Sequence, residues 1–235
     1  MSAVASSPAA VVRPTYRNRL QRLLNSSIGL KLLMAFTGVI LSGFVLVHML
    51  GNLQAFQGEE AIDAYGKLLR KEPALLWTAR LGLLGAVGLH IWSYFALMKK
   101  NQKARPVAYQ GRKYREASLA SLSMTVTGPL LLLFIVYHIL HMTVGVVHPS
   151  FEEGAVYHNL VTGLTGVVGL IYVAAMVMLA LHLWHGVWSL FQTLGVSEAR
   201  FDSVGRTFAT VFTLVVTIGF ALIPLAVMAG VFRLP

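Results

Sequence analysis

Six histidines stand inside long apolar stretches: His48 in "LVHML", His90 in "GLHIW", His138 and His141 in "YHILHMT", and His182 and His185 in "LHLWHGVWSL". An imidazole in such surroundings can hydrogen-bond a neighbouring helix, relay a proton or bind a metal, and an ionisable group inside a membrane span is a functional candidate by default. The chain has no cysteine, so thiolate metal sites, iron–sulfur clusters and disulfides are excluded from it. Two further histidines, His148 and His158, fall in or beside the polar stretch "VVHPSFEEGAVYHN" and read as solvated loop residues.

Composition dictates the elements that must hold these side chains. Hydrophobic residues make up 56% of the 235 and charged residues 12%, and the mean hydropathy is +0.69. That is more apolar surface than a soluble domain of this size can hide. Five apolar runs, approximately 29–51, 75–98, 119–147, 160–192 and 207–232, reach the ~20 residues a helix needs to cross a bilayer. No acidic residue lies inside any of them. The expected fold is an all-α integral membrane protein of five transmembrane helices, with residues 1–28 a cytoplasmic N-terminal segment and 29–235 one transmembrane domain. No apolar segment with a small-residue cleavage site precedes the first run, so no secretory signal is expected; the Arg- and Ser-rich start also fits an organellar transit peptide.

Positive charge orients the spans. Arg13, Arg17, Arg19, Arg22 and Lys31 precede or open the first; Lys99, Lys100, Lys103, Arg105, Arg112, Lys113 and Arg115 lie between the second and third; Arg200 and Arg206 lie between the fourth and fifth. These are 14 of the 19 basic residues. The N-terminus is therefore expected in the cytoplasm and the C-terminus outside. The net charge of +10 then serves topology, lipid headgroups or a docking surface rather than nucleic acid, because no aromatic residues are interleaved with the basic runs.

Depth sorts the histidines. At 1.5 Å per residue, His48 and His138 each lie ~28 Å from the cytoplasmic start of their helices and share an outer level. His90 lies ~22 Å and His182 ~33 Å from the outer starts of theirs, which places both towards the inner side. Two histidines at one depth on different helices are what a six-coordinate haem iron needs, since the porphyrin fills four positions and imidazoles can fill the axial two. The pattern describes two haems stacked across the membrane, bound by the first four helices. Without cysteine for covalent attachment they would be b-type.

Small residues fall where such a bundle needs room. Gly82, Gly85 and Gly88 on the second helix, and Gly163, Gly166 and Gly169 on the fourth, lie in the outer halves that give no outer ligand. Ser118, Ser121, Ser123, Thr125, Thr127 and Gly128 on the third, and Gly29, Thr37 and Gly38 on the first, lie in the inner halves. Small residues also line ordinary helix contacts. Their complementary placement favours two macrocycles.

The stretches "SSIGLKLLMAFTGVILSGFVLVHMLGNLQAF", "YHILHMT" and "LHLWHGVWSLFQTLG" resemble the di-haem cytochrome b membrane-anchor subunit of bacterial succinate dehydrogenase, in the family of succinate:quinone oxidoreductases and fumarate reductases. The resemblance covers nearly the whole chain, with His48 accompanied by Gly51 and Asn52, and His182 by Gly186, Trp188 and Ser189. It implies His48 and His138 as axial ligands of an outer haem b and His90 and His182 of an inner one. His141 and His185, the second members of their doublets, are alternative ligands or haem neighbours. It further implies a flavoprotein subunit carrying FAD and an iron–sulfur subunit docked on the cytoplasmic face of a bacterial cytoplasmic membrane, with electrons passing between the iron–sulfur subunit and quinone, expected to be menaquinone. The chain has neither cysteines nor a Gly-rich dinucleotide fingerprint, so it cannot itself oxidise succinate.

Two regions are candidates for the quinone. Gln54, Glu59 and Asp63, with Glu60 and Tyr65, follow closely on His48, where carboxylates could exchange protons with a quinol; the same loop also reads as an amphipathic interfacial helix with solvated charges. Ser26, Ser27 and Lys31 lie at the cytoplasmic end. A nitrate reductase or formate dehydrogenase type of di-haem anchor also fits the paired depths. A haem-free proton-coupled transporter fits the histidines alone, but neither intramembrane carboxylates nor an internal repeat is present.

Overall fold

The computed structural model describes residues 18–104, 119–195 and 199–234. A short helix α1 (Arg19–Leu24) starts at Asn18, whose side-chain oxygen accepts from the Gln21 amide at 2.8 Å. Ser26 performs the same service for α2 (Ser27–Asn52), accepting from the Gly29 amide at 2.9 Å while its own hydroxyl donates to Leu23. Such caps satisfy amides that no helix can pair internally. A 3₁₀ turn, Leu53–Gln57, then leads through Gly58, at φ 101°, into α3 (Glu59–Arg70). Acidic residues open α3 and basic residues close it, matching the helix dipole. Ile62 and Gly66 are buried while Glu59, Lys67 and Arg70 are exposed, so the loop forms an amphipathic helix.

Pro73 occupies the first turn of α4 (Pro73–Lys103), where its missing amide hydrogen costs nothing. Then come α5 (Leu119–Ile139) and a π-helical turn, Leu140–Val144, closed by Gly145 at φ 82°. The run read from sequence as 160–192 divides in two. A short α6 (Val156–Gly163) ends before Leu164 and Thr165, and α7 (Gly166–Thr193) begins with Gly166 at φ 50°. The last helix is α8 (Ala199–Met228).

Five of these helices are long and apolar enough to span a bilayer: Ser27–Gln57, Pro73–Lys103, Leu122–Val144, Gly166–Thr193 and Asp202–Met228. Large apolar side chains point outward along them, with Phe36 65%, Leu84 69% and Leu133 66% exposed. Water would penalise such a surface but lipid does not. Pro129 and Pro224 lie inside α5 and α8, as membrane helices tolerate.

The spans pack as two pairs joined side by side. α2 lies along α4, α7 lies along both α5 and α8, and α2 also touches α7 and α8. At one end, Lys100 of α4 donates to the Asn25 carbonyl between α1 and α2. At the other, Ala55, Ile62, Tyr157, Leu160, Leu164, Tyr172, Ile223, Val227 and Phe232 form a buried apolar core that ties α3, α6, α7 and α8 together. Asp63 of α3 accepts from the Tyr157 amide in the first turn of α6 at 2.9 Å, a cap supplied by a neighbouring helix.

Candidate functional site

Histidines bridge the two helix pairs at two levels. Near the α3/α6 end, His48 of α2 and His138 of α5 bring their ring centroids to 5.9 Å. Nearer the α1 end, His90 of α4 and His182 of α7 stand 6.4 Å apart. Two imidazoles on opposite sides of one metal, each with a nitrogen–metal bond of roughly 2 Å and about 1 Å more to the ring centre, would have centroids ~6 Å apart. Both separations fit that geometry. The supports also fit, because neither α2 with α5 nor α4 with α7 is among the closely packed pairs.

Hydroxyls hold two of the four rings. Thr37 Oγ1 lies 3.1 Å from His90 Nδ1 and gives its own proton to the Leu33 carbonyl at 2.8 Å. Its oxygen therefore accepts from Nδ1–H, and Nε2 keeps its lone pair for a metal. At the other level, His138 Nδ1 is 3.2 Å from the Tyr172 hydroxyl. His48 has Nε2 at 3.3 Å from Asn52 Nδ2, the neighbour that accompanies it in the sequence motif. His182 Nδ1 is buried with no hydrogen-bond partner among the described residues. An orphaned buried nitrogen is costly in a finished protein interior and fits a ring whose environment a bound group completes.

Aromatic and glycine neighbours shape both levels. Phe44 stacks on His48 at 5.3 Å and Phe220 of α8 leans on it at 5.6 Å; Phe134 packs on His138 at 5.9 Å. The fifth span thus buttresses a histidine although it supplies none. At the other level, a Cβ added to Gly38 would touch His90 Cε1 at 3.6 Å, and one on Gly128 would touch His182 Cε1 at 3.9 Å. Both glycines belong to helices that give this level no histidine.

Two of the six outer glycines, Gly163 and Gly169, differ from the expectation. Gly82, Gly85, Gly88 and Gly166 face open space, while a Cβ on Gly169 would meet Met228 and the Leu164 carbonyl. Gly163 would strike His148 Nε2 at 2.5 Å and His141 Cε1 at 3.0 Å. The reason is that Gly163 closes α6 and does not belong to the spanning helix. It makes room for side chains, not for a macrocycle.

His148 also departs from the solvated reading: it is 5% exposed. Its Nε2 lies 3.0 Å from the Asn159 carbonyl, the Ser150 amide donates to its Nδ1 at 3.1 Å, and its ring stacks on His141 at 4.8 Å. The sequence signal available was weak, a lone "HPS" after an apolar run. His158 keeps a wetter position, with Nε2 3.0 Å from the Ser150 carbonyl and 3.5 Å from Glu152.

Of the doublets' second members, His141 turns away from the His48–His138 pair towards Tyr172 and His148 and is 1% exposed. His185 is partly buried on α7, near His182. The motif neighbour Trp188 packs its ring under Arg206 at 4.4 Å, and Arg206 is in turn paired with Asp202 at 2.9 Å. The six quinone candidates are not gathered in one place. Asp63 and Ser26 have their oxygens engaged in helix caps; Gln54, Glu59, Ser27 and Lys31 make no side-chain hydrogen bond among the described residues. The expected basic surface falls partly outside the described residues, as do Arg13, Arg17, Arg105, Arg112, Lys113, Arg115 and Ser118.

A five-span helical membrane protein with paired histidines bridging its helices belongs to the class of membrane-embedded subunits. The family model of the succinate dehydrogenase/fumarate reductase transmembrane subunit matches residues 98–223, more than half of the chain, and the chain belongs to that family. Its members are typically haem-binding cytochromes b. The match includes His138, His141, Tyr172, His182 and His185, whereas His48 and His90 lie before it. Neither a comparison with curated proteins nor one with solved structures gives a match.

Proposed function

We propose that this chain is the di-haem cytochrome b anchor of a bacterial succinate:quinone oxidoreductase, with His48 and His138 holding one haem b and His90 and His182 the other. The observation that carries the reading is the pair of imidazole separations, 5.9 and 6.4 Å, at two levels between helices that otherwise stand apart. Bound haem supplies one-electron redox chemistry. The chain supplies what that chemistry needs: imidazole rings held by Thr37 and Tyr172, apolar walls from Phe44, Phe134 and Phe220, and glycines at positions 38 and 128 that let backbones recede.

The α1 end faces the cytoplasm in this reading and receives an iron–sulfur subunit, itself carried by an FAD-containing flavoprotein. The basic residues Lys99, Lys100, Lys103 and Arg206 lie at that end and follow the positive-inside rule. Haem held by the two histidine pairs would supply the one-electron chemistry between that subunit and menaquinone. Pyridine haemochrome analysis of the purified complex is expected to give two b haems per chain, and a flavoprotein that co-purifies is expected to support succinate-dependent quinone reduction. One haem per chain, or no such flavoprotein, would overturn the reading.

A further inference from the structure

We infer that the Tyr172 hydroxyl, oriented by His141, is the positioning group of His138. This rests on the ligand role proposed for His138, and the argument comes from proton directions. The hydroxyl oxygen lies 3.2 Å from His138 Nδ1 and 2.9 Å from His141 Nδ1, so one O–H faces two ring nitrogens. A hydroxyl has a single proton to give and lone pairs to receive. If His138 binds metal through Nε2, its neutral ring carries the proton on Nδ1, and that N–H must donate to Tyr172. The Tyr172 proton is then directed to His141 Nδ1, which completes the chain His138 N–H to Tyr172 O–H to His141.

The surroundings hold this arrangement in place. His141 is 1% and Tyr172 8% exposed. Tyr137 stacks on His141 at 5.3 Å from one side and His148 at 4.8 Å from the other. His148 is itself bound by Ser150 and Asn159, so His141 has little freedom to turn. The π-helical turn that begins at Leu140 carries His141, and single π turns recur at functional sites. The other level is built differently: Thr37 sends its proton to its own helix backbone, and His182 Nδ1 has no partner among the described residues.

The consequence is electronic as well as steric. An acceptor on Nδ1–H makes the imidazole a more basic ligand and favours the oxidised metal. Donation from Tyr172 to His141 polarises the accepting oxygen and strengthens the effect. Tyr172→Phe removes the acceptor and keeps the ring; His141→Phe keeps the hydroxyl but removes its orienting partner.

Redox titration with optical detection, on the complex purified from each variant, tests this. The transition that belongs to the His48–His138 level is identified as the one lost in His48→Ala. In Tyr172→Phe that transition is expected to move to more positive potential with both haems retained and the other transition unmoved. His141→Phe is expected to move it in the same direction by less. An unmoved transition in Tyr172→Phe, a negative shift in either variant, or equal shifts of both haems would overturn the inference. Wild-type complex with fewer than two haems would instead overturn the ligand reading on which it rests.

Discussion

His90 and His182 face each other at 6.4 Å from helices α4 and α7 that are not among the closely packed pairs. The two side chains differ in support, since Thr37 fixes His90 and no described residue bonds His182 Nδ1. A ring without a protein partner depends most on what it binds. His182→Ala is therefore expected to remove the haem of this level and to spare the other, whereas His185→Ala leaves both. Haem quantitation on the two variants checks this; loss in the His185 variant alone would reverse the choice within the doublet.

Thr37→Val replaces the hydroxyl by a methyl of nearly the same shape. His90 then loses the acceptor for its Nδ1 proton, and losing such an outer partner typically costs about 10- to 100-fold in metal affinity. Haem titration into the depleted complex is expected to show that weakening at the His90–His182 level only. Equal affinity in variant and wild type would mean that Thr37 serves its own helix alone.

Bulk at Gly38 has a graded consequence. A Cβ there meets His90 at an ordinary contact distance of 3.6 Å, so Gly38→Ala is expected to behave as wild type. Gly38→Leu must displace the ring, at the ~1 to 3 kcal/mol typical of overpacking. Gly85→Leu, in the outer half of α4, is the control and is expected to leave the spectrum of the His90–His182 level unchanged.

Asp63 distinguishes a strut from a proton carrier. Its oxygen caps α6, and losing a cap costs ~1 kcal/mol. Asp63→Ala is expected to lower the thermal stability of the complex, while Asp63→Asn, which keeps an acceptor, restores both stability and quinone turnover. Turnover that stays low in a stable Asp63→Asn complex would make the carboxylate part of quinone chemistry.

Gly163→Ala sets a Cβ 2.5 Å from His148 Nε2 in a packed site. Destabilisation of ~1 to 3 kcal/mol is expected, read as earlier thermal unfolding. An unchanged midpoint would show that His148 can give way.

The five spans were legible in the sequence because a bilayer demands unbroken apolar length, and runs free of Asp and Glu satisfy that demand without reference to any neighbour. The levels of the histidines were legible too, since helical rise is fixed and depth follows from residue number. Azimuth and tertiary approach were not. Whether Tyr172 reaches His138, whether Thr37 reaches His90, and whether His148 folds under Gly163 depend on how helices rotate and pack against one another. The break at Leu164–Thr165 was hidden because hydropathy runs straight through it, while one helix ends at Gly163 and the next starts at Gly166, at φ 50°. Sequence by itself determined which residues share a depth; only the tertiary structure decided which of them touch, because a hydrogen bond needs direction and hydrophobicity has none.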